Sequence, residues 1–153
     1  MYMKETYIVK EEDVAELAER VIHLLVARET SKAKVLLLGG DLGAGKTTFT
    51  KELASLLGID KTKVTSPTFI LKKEYEGDHS QFRKLIHVDA YRFNSPQEAK
   101  VLKLENDLGK SNALIAIEWP SKMKYPKADI ELMFTVIDDV TREVDIVYEE
   151  PLL

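Results

Sequence analysis

The chain places four of its seven glycines within seven residues, at positions 39, 40, 43 and 45. They follow the apolar run Val-Leu-Leu-Leu of residues 35–38 and lead directly into Lys46-Thr47-Thr48. Glycine loses more backbone freedom on folding than any other residue, so a cluster this dense is either a mobile turn or a backbone bent tightly around something. Gly40-Asp-Leu-Gly-Ala-Gly-Lys46-Thr47 fits the spacing G-x-x-x-x-G-K-[ST] of the Walker A motif, with a buried-type strand before it and a helix expected after it. Each residue type in that spacing has a chemical purpose. Glycines let backbone N–H groups converge on phosphate oxygens with no Cβ in the way. The new helix adds the positive end of its dipole. Lys46 supplies charge for the β- and γ-phosphates, and the Thr47 hydroxyl is suited to Mg²⁺. The candidate nucleotide-binding residues are therefore Asp41, Leu42, Gly43, Ala44, Gly45, Lys46, Thr47 and Thr48, with a nucleoside triphosphate and Mg²⁺ as the expected ligands.

Periodicity around the loop predicts the rest of the architecture. Residues 6–9 read as a short strand. Residues 11–29 read as an amphipathic helix, with Val14, Leu17, Ala18, Val21, Leu24 and Leu25 on one face. Residues 34–38 read as a buried strand, and 47–57 as a helix stopped by Gly58. Strands are expected at 69–75, 84–88 and 113–117, with a turn at 76–79 and a helix over 95–108 opened by Ser95-Pro96. Alternation at 130–136 and 144–148 predicts a terminal hairpin around 138–141. Strands alternating with helices imply an α/β fold with a largely parallel central sheet flanked by helices and a C-terminal antiparallel β-hairpin. With 153 residues, 44% of them hydrophobic, one domain over residues 1–153 is expected.

Two strand ends carry acids. Asp89 closes the run 85–88 and reads as the second acid of such a site, beside the metal, or as a simple cap. Glu118 closes 113–117 and reads as a group that orients the attacking water or holds a metal-bound water, or as a solvated strand end. Trp119, the single tryptophan, is either core filler or packs on the base or sugar. Thr68, within Thr65-Ser-Pro-Thr-Phe69, lies where phosphate-loop switches place a hydroxyl that senses the γ-phosphate and Mg²⁺. Arg92 is a candidate contact to phosphate or to a partner. The three histidines, at 23, 79 and 87, form no spaced cluster.

Composition narrows the classes. The absence of cysteine removes disulfides, thiol nucleophiles and most structural zinc designs. A formal charge of −4 argues against generalised nucleic-acid binding, so DNA is not an expected partner. The N-terminal MYMKETYIVKEEDV has no apolar core of a leader, and no apolar run approaches a membrane span, so a cytoplasmic address is expected.

Taken in order, GDLGAGKTTFTK, SPTF (66–69), HVDAYR (87–92) and IEWP (117–120) resemble the TsaE family, formerly YjeE, over roughly residue 11 to the end. The resemblance implies a P-loop NTPase fold and a bacterial ATPase serving the threonylcarbamoyladenosine modification of tRNA. It places Mg²⁺-ATP at Lys46 and Thr47, Asp89 near the metal, Thr68 in a switch-like segment, Glu118 in hydrolysis and Trp119 beside the nucleotide. It also implies TsaB and TsaD as partners, with tRNA met indirectly through that complex and ATP turnover resetting it. One departure is Ala-Lys-Val-Leu-Lys at 99–103, more basic than the family's usual acidic helix.

Other readings of the residues stand beside it. A small-molecule or nucleotide kinase uses the same loop and strand-end acid. Such kinases bring several arginines to the transferred phosphate, whereas this chain has five in all, at 20, 28, 83, 92 and 142, and no Arg-rich lid. A nucleotide-dependent interaction module with negligible turnover is the third. No Asn-Lys-x-Asp string for guanine occurs.

Overall fold

The structure, a computed structural model, describes residues 1–28, 31–41, 43–65, 72–89, 104–118 and 128–150. In chain order the elements are β1 (Tyr2–Lys10), a 3₁₀ turn (Glu11–Asp13), α1 (Val14–Val26), β2 (Lys34–Gly39), α2 (Lys46–Leu56) and a second 3₁₀ turn (Lys61–Lys63). Then come β3 (Lys72–Glu76), β4 (Lys84–Asp89), α3 (Leu104–Leu108), β5 (Ala113–Glu118), β6 (Ile130–Val136) and β7 (Thr141–Glu149).

The described strands form one sheet in the order β1-β7-β6-β2-β5-β4-β3. Its centre is parallel: β2 pairs with both β5 and β6, and β4 pairs with β5. Its flanks are antiparallel, through β1–β7, β6–β7 and β3–β4. The sheet is therefore mixed, which corrects the expectation of a largely parallel one. The cause is local for two of these pairs, because β3–β4 and β6–β7 are joined by connections too short for a parallel crossover. For the third, β1 runs the length of β7, from Tyr2 opposite Glu149 to Lys10 opposite Thr141. That strand is longer than the 6–9 expected, since pairing along a whole neighbour extends what alternation alone marks.

Helices cover both faces. On one face α1 and α2 pack together over the sheet, with Leu17, Val21 and Leu25 of α1, Phe49 and Leu53 of α2, and Leu36, Leu38, Leu85 and Leu114 of the strands in one apolar cluster. On the other, Val35, Ile86, Val88, Ile115 and Ile117 cluster with Leu104 of α3. Strands β2, β4 and β5 are buried on both faces, as expected of central parallel strands. Of the predicted helix 95–108, residues 95–103 lie outside the described residues, as do 66–71 of the segment leading into β3 and the basic stretch 99–103.

α2 starts and ends one residue earlier than the 47–57 expected, and its last turn closes just before Gly58. Gly58 N donates to Ser55 O at 3.1 Å and Ile59 N to Ala54 O at 3.0 Å, closing the last turn on its own carbonyls. α1 opens after the acids Glu11, Glu12 and Asp13, which suit the positive end of a helix. Its outer side is tied to both β1 and β7 through Glu5. That carboxylate accepts two bonds from Arg20, at 2.9 and 2.6 Å, and one each from Tyr7 and Tyr148 at 2.5 Å. These contacts, the Arg20 bonds foremost, hold the Glu5 carboxyl down from its ordinary 4.5 to about 2.

Candidate functional site

The loop after β2 is built by its glycines. Gly40 has φ +133, and a Cβ there would lie 2.5 Å from the Phe134 carbonyl oxygen of β6. Gly45, φ +107, occupies the position just before α2 and turns the chain into the helix. Ala44 N bonds Asp41 O at 3.0 Å across the bend, and Phe49 N returns to Gly45 O at 2.9 Å.

Neither α1 nor α2 has a side-chain cap bond, but the first turn of α2 holds Lys46, Thr47 and Thr48 and no acid, where that of α1 holds Glu16. An uncapped, acid-free helix start with left-handed glycines before it is an arrangement suited to an external anion. Lys46 is only 5% exposed. Its ammonium folds back onto the Gly40 carbonyl and, at 3.3 Å, onto that of Asp41. The buried helix face beneath is satisfied locally, since Thr50 Oγ1 donates to Lys46 O at 2.9 Å.

The strand-end acids meet this loop. Asp89 is the last residue of β4 and Glu118 the last of β5, and the two are register partners. Glu118 is also the register partner of Leu38, the residue before the glycines begin. Both acids alternate with residues of the α1–α2 face, Leu85 on β4 and Leu114 and Ala116 on β5, so they stand on the face that carries the head of α2. They are 6% and 5% exposed. Carboxylates this buried need cationic or hydrogen-bonding company. A parallel sheet spaces neighbouring strands about 4.8 Å apart, so two hard oxygen donors are presented side by side. Two such oxygens fit a divalent cation of the Mg²⁺ kind. Among the described residues no group of three or more His, Asp or Glu is arranged to hold a metal by itself.

A cavity of about 330 Å³ opens beside the loop. Gly43, Ala44, Gly45 and Thr48 form one wall, Val9–Glu12 and Val14 another, and Phe134, Val140 and Arg142 of the β6–β7 hairpin a third. Phe134 is packed edge-on against Phe49, with ring centroids 5.8 Å apart. Arg142 donates from Nη2 to Gly43 O at 3.2 Å and from Nη1 to Asp138 O at 2.7 Å, which fastens the hairpin to the glycine loop.

Of the expected site residues, the structure thus brings together Asp41, Gly43, Ala44, Gly45, Lys46, Thr47 and Thr48 with Asp89 and Glu118. Leu42, Thr68, Arg92 and Trp119 lie outside the described residues. Arg142, Phe134 and the 9–14 segment escaped the sequence reading because they reach the loop from about 90 residues after it or 30 before it. His87, which belongs to no histidine cluster in the sequence, lies fully buried with Nε2 3.8 Å from Glu118 Oε1.

Comparisons with known proteins agree on one family. The family described as Threonylcarbamoyl adenosine biosynthesis protein TsaE matches residues 8–144. The chain is 37% identical to the tRNA threonylcarbamoyladenosine biosynthesis protein TsaE of Aquifex aeolicus, over 94% of this chain and 96% of that one. It is 30% identical to the protein of the same name from Haemophilus influenzae, over 95% and 90%. The crystal structure of Bacillus subtilis YdiB superposes with a TM-score of 0.68 at 28% identity, covering 97% of this chain and 87% of that one. By family match and by identity, the chain belongs to the TsaE family.

Proposed function

We propose that this protein is a P-loop ATPase: it binds Mg²⁺-ATP on the 39–48 loop and hydrolyses it, and the turnover supports formation of threonylcarbamoyladenosine in tRNA. The observation that carries this reading is a buried lysine and an uncapped helix start following β2, with two buried, register-paired carboxylates at the C-terminal ends of the neighbouring strands β5 and β4. On this reading Lys46 leaves the Gly40 and Asp41 carbonyls for the β- and γ-phosphates, a charge-assisted exchange that favours the anion. The amides at the head of α2 hold the phosphate oxygens. The cavity lined by Thr48, Phe134 and Val140 takes the nucleoside, its volume lying at the lower end of the range for small-molecule sites.

Thr47 and Asp89 would hold Mg²⁺, which when bound neutralises developing charge on the transferred phosphoryl group. Glu118 accepts a hydrogen bond from the attacking water and orients it toward the γ-phosphorus. The bond to the β,γ-bridging oxygen breaks, and ADP and inorganic phosphate are the products. Thr68 and Trp119 remain assigned to the γ-phosphate switch and to the nucleoside by the family resemblance.

The same resemblance supplies the partners, TsaB and TsaD, with tRNA reached through them. The decisive experiment is multiple-turnover threonylcarbamoyl transfer to tRNA by TsaB and TsaD with wild type, Lys46→Ala or nothing added. Sustained transfer is expected with wild type alone. Equal transfer in all three arms would refute the coupling, and rapid phosphorylation of a small metabolite by the pure protein would establish a kinase in its place.

A further inference from the structure

His87 is a polar ring in an apolar place. None of its surface reaches solvent, and neither ring nitrogen has a hydrogen bond among the described residues. A buried polar group left unpaired opposes folding, and a leucine at this point of β4 would pack with no such penalty. The imidazole therefore needs a reason beyond packing.

Its surroundings supply one. His87 sits two residues before Asp89, on the same face of β4, and its register partner on β5 is Ala116. The next residue on that face of β5 is Glu118. Glu118 carries the one carboxylate within 4 Å of the ring among the described residues, Nε2 to Oε1 being 3.8 Å. That separation is longer than a hydrogen bond. A turn of the Glu118 carboxylate toward Nε2 would be needed to close it.

We propose that His87 is a positioning residue for Glu118. This rests on the reading of Glu118 as the group that orients the attacking water. With its proton on Nε2, a neutral imidazole donates to Oε1, and no change of protonation is required. That bond selects one arrangement of the carboxylate and leaves Oε2 to accept from the water. A carboxylate held from beneath is preorganised, whereas one free to turn spends only part of its time in the productive geometry. The buried ring thus contributes to the rate of the hydrolytic step and not to nucleotide affinity.

The test compares wild type with His87→Gln, His87→Leu, Glu118→Gln and the double variant His87→Leu/Glu118→Gln. Three quantities are read: single-turnover hydrolysis of Mg²⁺-ATP, ATP affinity by calorimetry, and Tm. His87→Leu should lower the hydrolytic rate about 10–100-fold, the usual loss when the support of a site group is removed, with affinity and Tm not reduced. His87→Gln, which keeps a donor near Nε2, should stay within about threefold of wild type. On the Glu118→Gln background His87→Leu should add no further loss. An unchanged rate in His87→Leu, a loss that Gln fails to rescue and that follows a lower Tm, or additive losses in the double variant would each overturn the inference. If wild type binds ATP and hydrolyses none, the underlying reading of the site falls with it. If wild type hydrolyses ATP and Glu118→Gln does so equally well, the role of Glu118 falls while the ATPase reading stands.

Discussion

Asp89 and Glu118 end adjacent parallel strands as register partners, and both are buried on the face that carries the head of α2. They come from strands separated by residues 90–112, so their juxtaposition is a property of the β4–β5 pairing. Two carboxylates this close repel unless something cationic lies between or beside them. Glu118 borders β2, which runs into the glycine loop, whereas Asp89 lies one strand further out. Asp89→Asn should weaken the Mg²⁺ dependence of nucleotide binding. Glu118→Gln should leave binding nearly intact and lower kcat by about 10²-fold or more. Calorimetry with and without Mg²⁺, together with steady-state hydrolysis, separates the two; both substitutions silent in both assays would leave the acids without a role.

Lys46→Ala removes the one buried ammonium at the loop while leaving the amides of α2 in place. Loss of the charge-assisted contacts should cost about 2–4 kcal/mol of ATP binding, roughly 30- to 700-fold in Kd. The fold should persist, because the Lys46 ammonium is bonded to the loop carbonyls of Gly40 and Asp41. Unchanged affinity in a folded variant would remove the loop from the nucleotide site.

Gly40→Ala tests the loop's shape without touching its charge. The new Cβ would meet the Phe134 carbonyl at 2.5 Å in a backbone conformation that L-residues avoid. The combined strain should lower stability by about 2–4 kcal/mol. Urea unfolding measures it. The loop should also move away from β6, so ATP affinity should fall in step, in contrast to Lys46→Ala, where affinity falls and stability holds.

Glu5 gives a pH dependence. Its carboxyl is held down from 4.5 to about 2, by the Arg20 bonds first and by Tyr148 and Tyr7. A carboxyl whose folded value is depressed stabilises the fold above its unfolded value, and that contribution is lost as pH falls toward the folded one. The window is therefore about pH 4.5 down to pH 2. With Arg20 partly exposed, the contribution should be about 1–2 kcal/mol. Glu5→Gln should be less stable than wild type at pH 7 by that amount, and the gap should narrow through the window. A gap that stays constant from pH 7 to pH 2 would mean that the charge of Glu5 contributes nothing.

The sequence alone determined what is local in this protein. A run of apolar residues meeting a glycine cluster, followed by a segment that Gly58 stops, specifies strand, loop and helix in that order, and the structure has the strand as β2 and the helix as α2. Asp89 and Glu118 were legible as strand ends because hydrophobic runs stop where a buried strand must emerge. The β6–β7 hairpin was legible because alternation of period two survives wherever one sheet face is exposed. Periodicity marks which residues are extended but carries no information about which extended segment lies beside which. Tertiary structure decided that β1 crosses the chain to pair with β7, that β3 joins antiparallel, and hence that the sheet is mixed. It also decided that Asp89 faces Glu118, that Arg142 fastens the hairpin to Gly43, and that His87 is sealed beneath Glu118. Each of those relationships joins residues far apart in the chain, and only the burial gained by closing one sheet under two layers of helices selects it from the alternatives that the same local pattern allows.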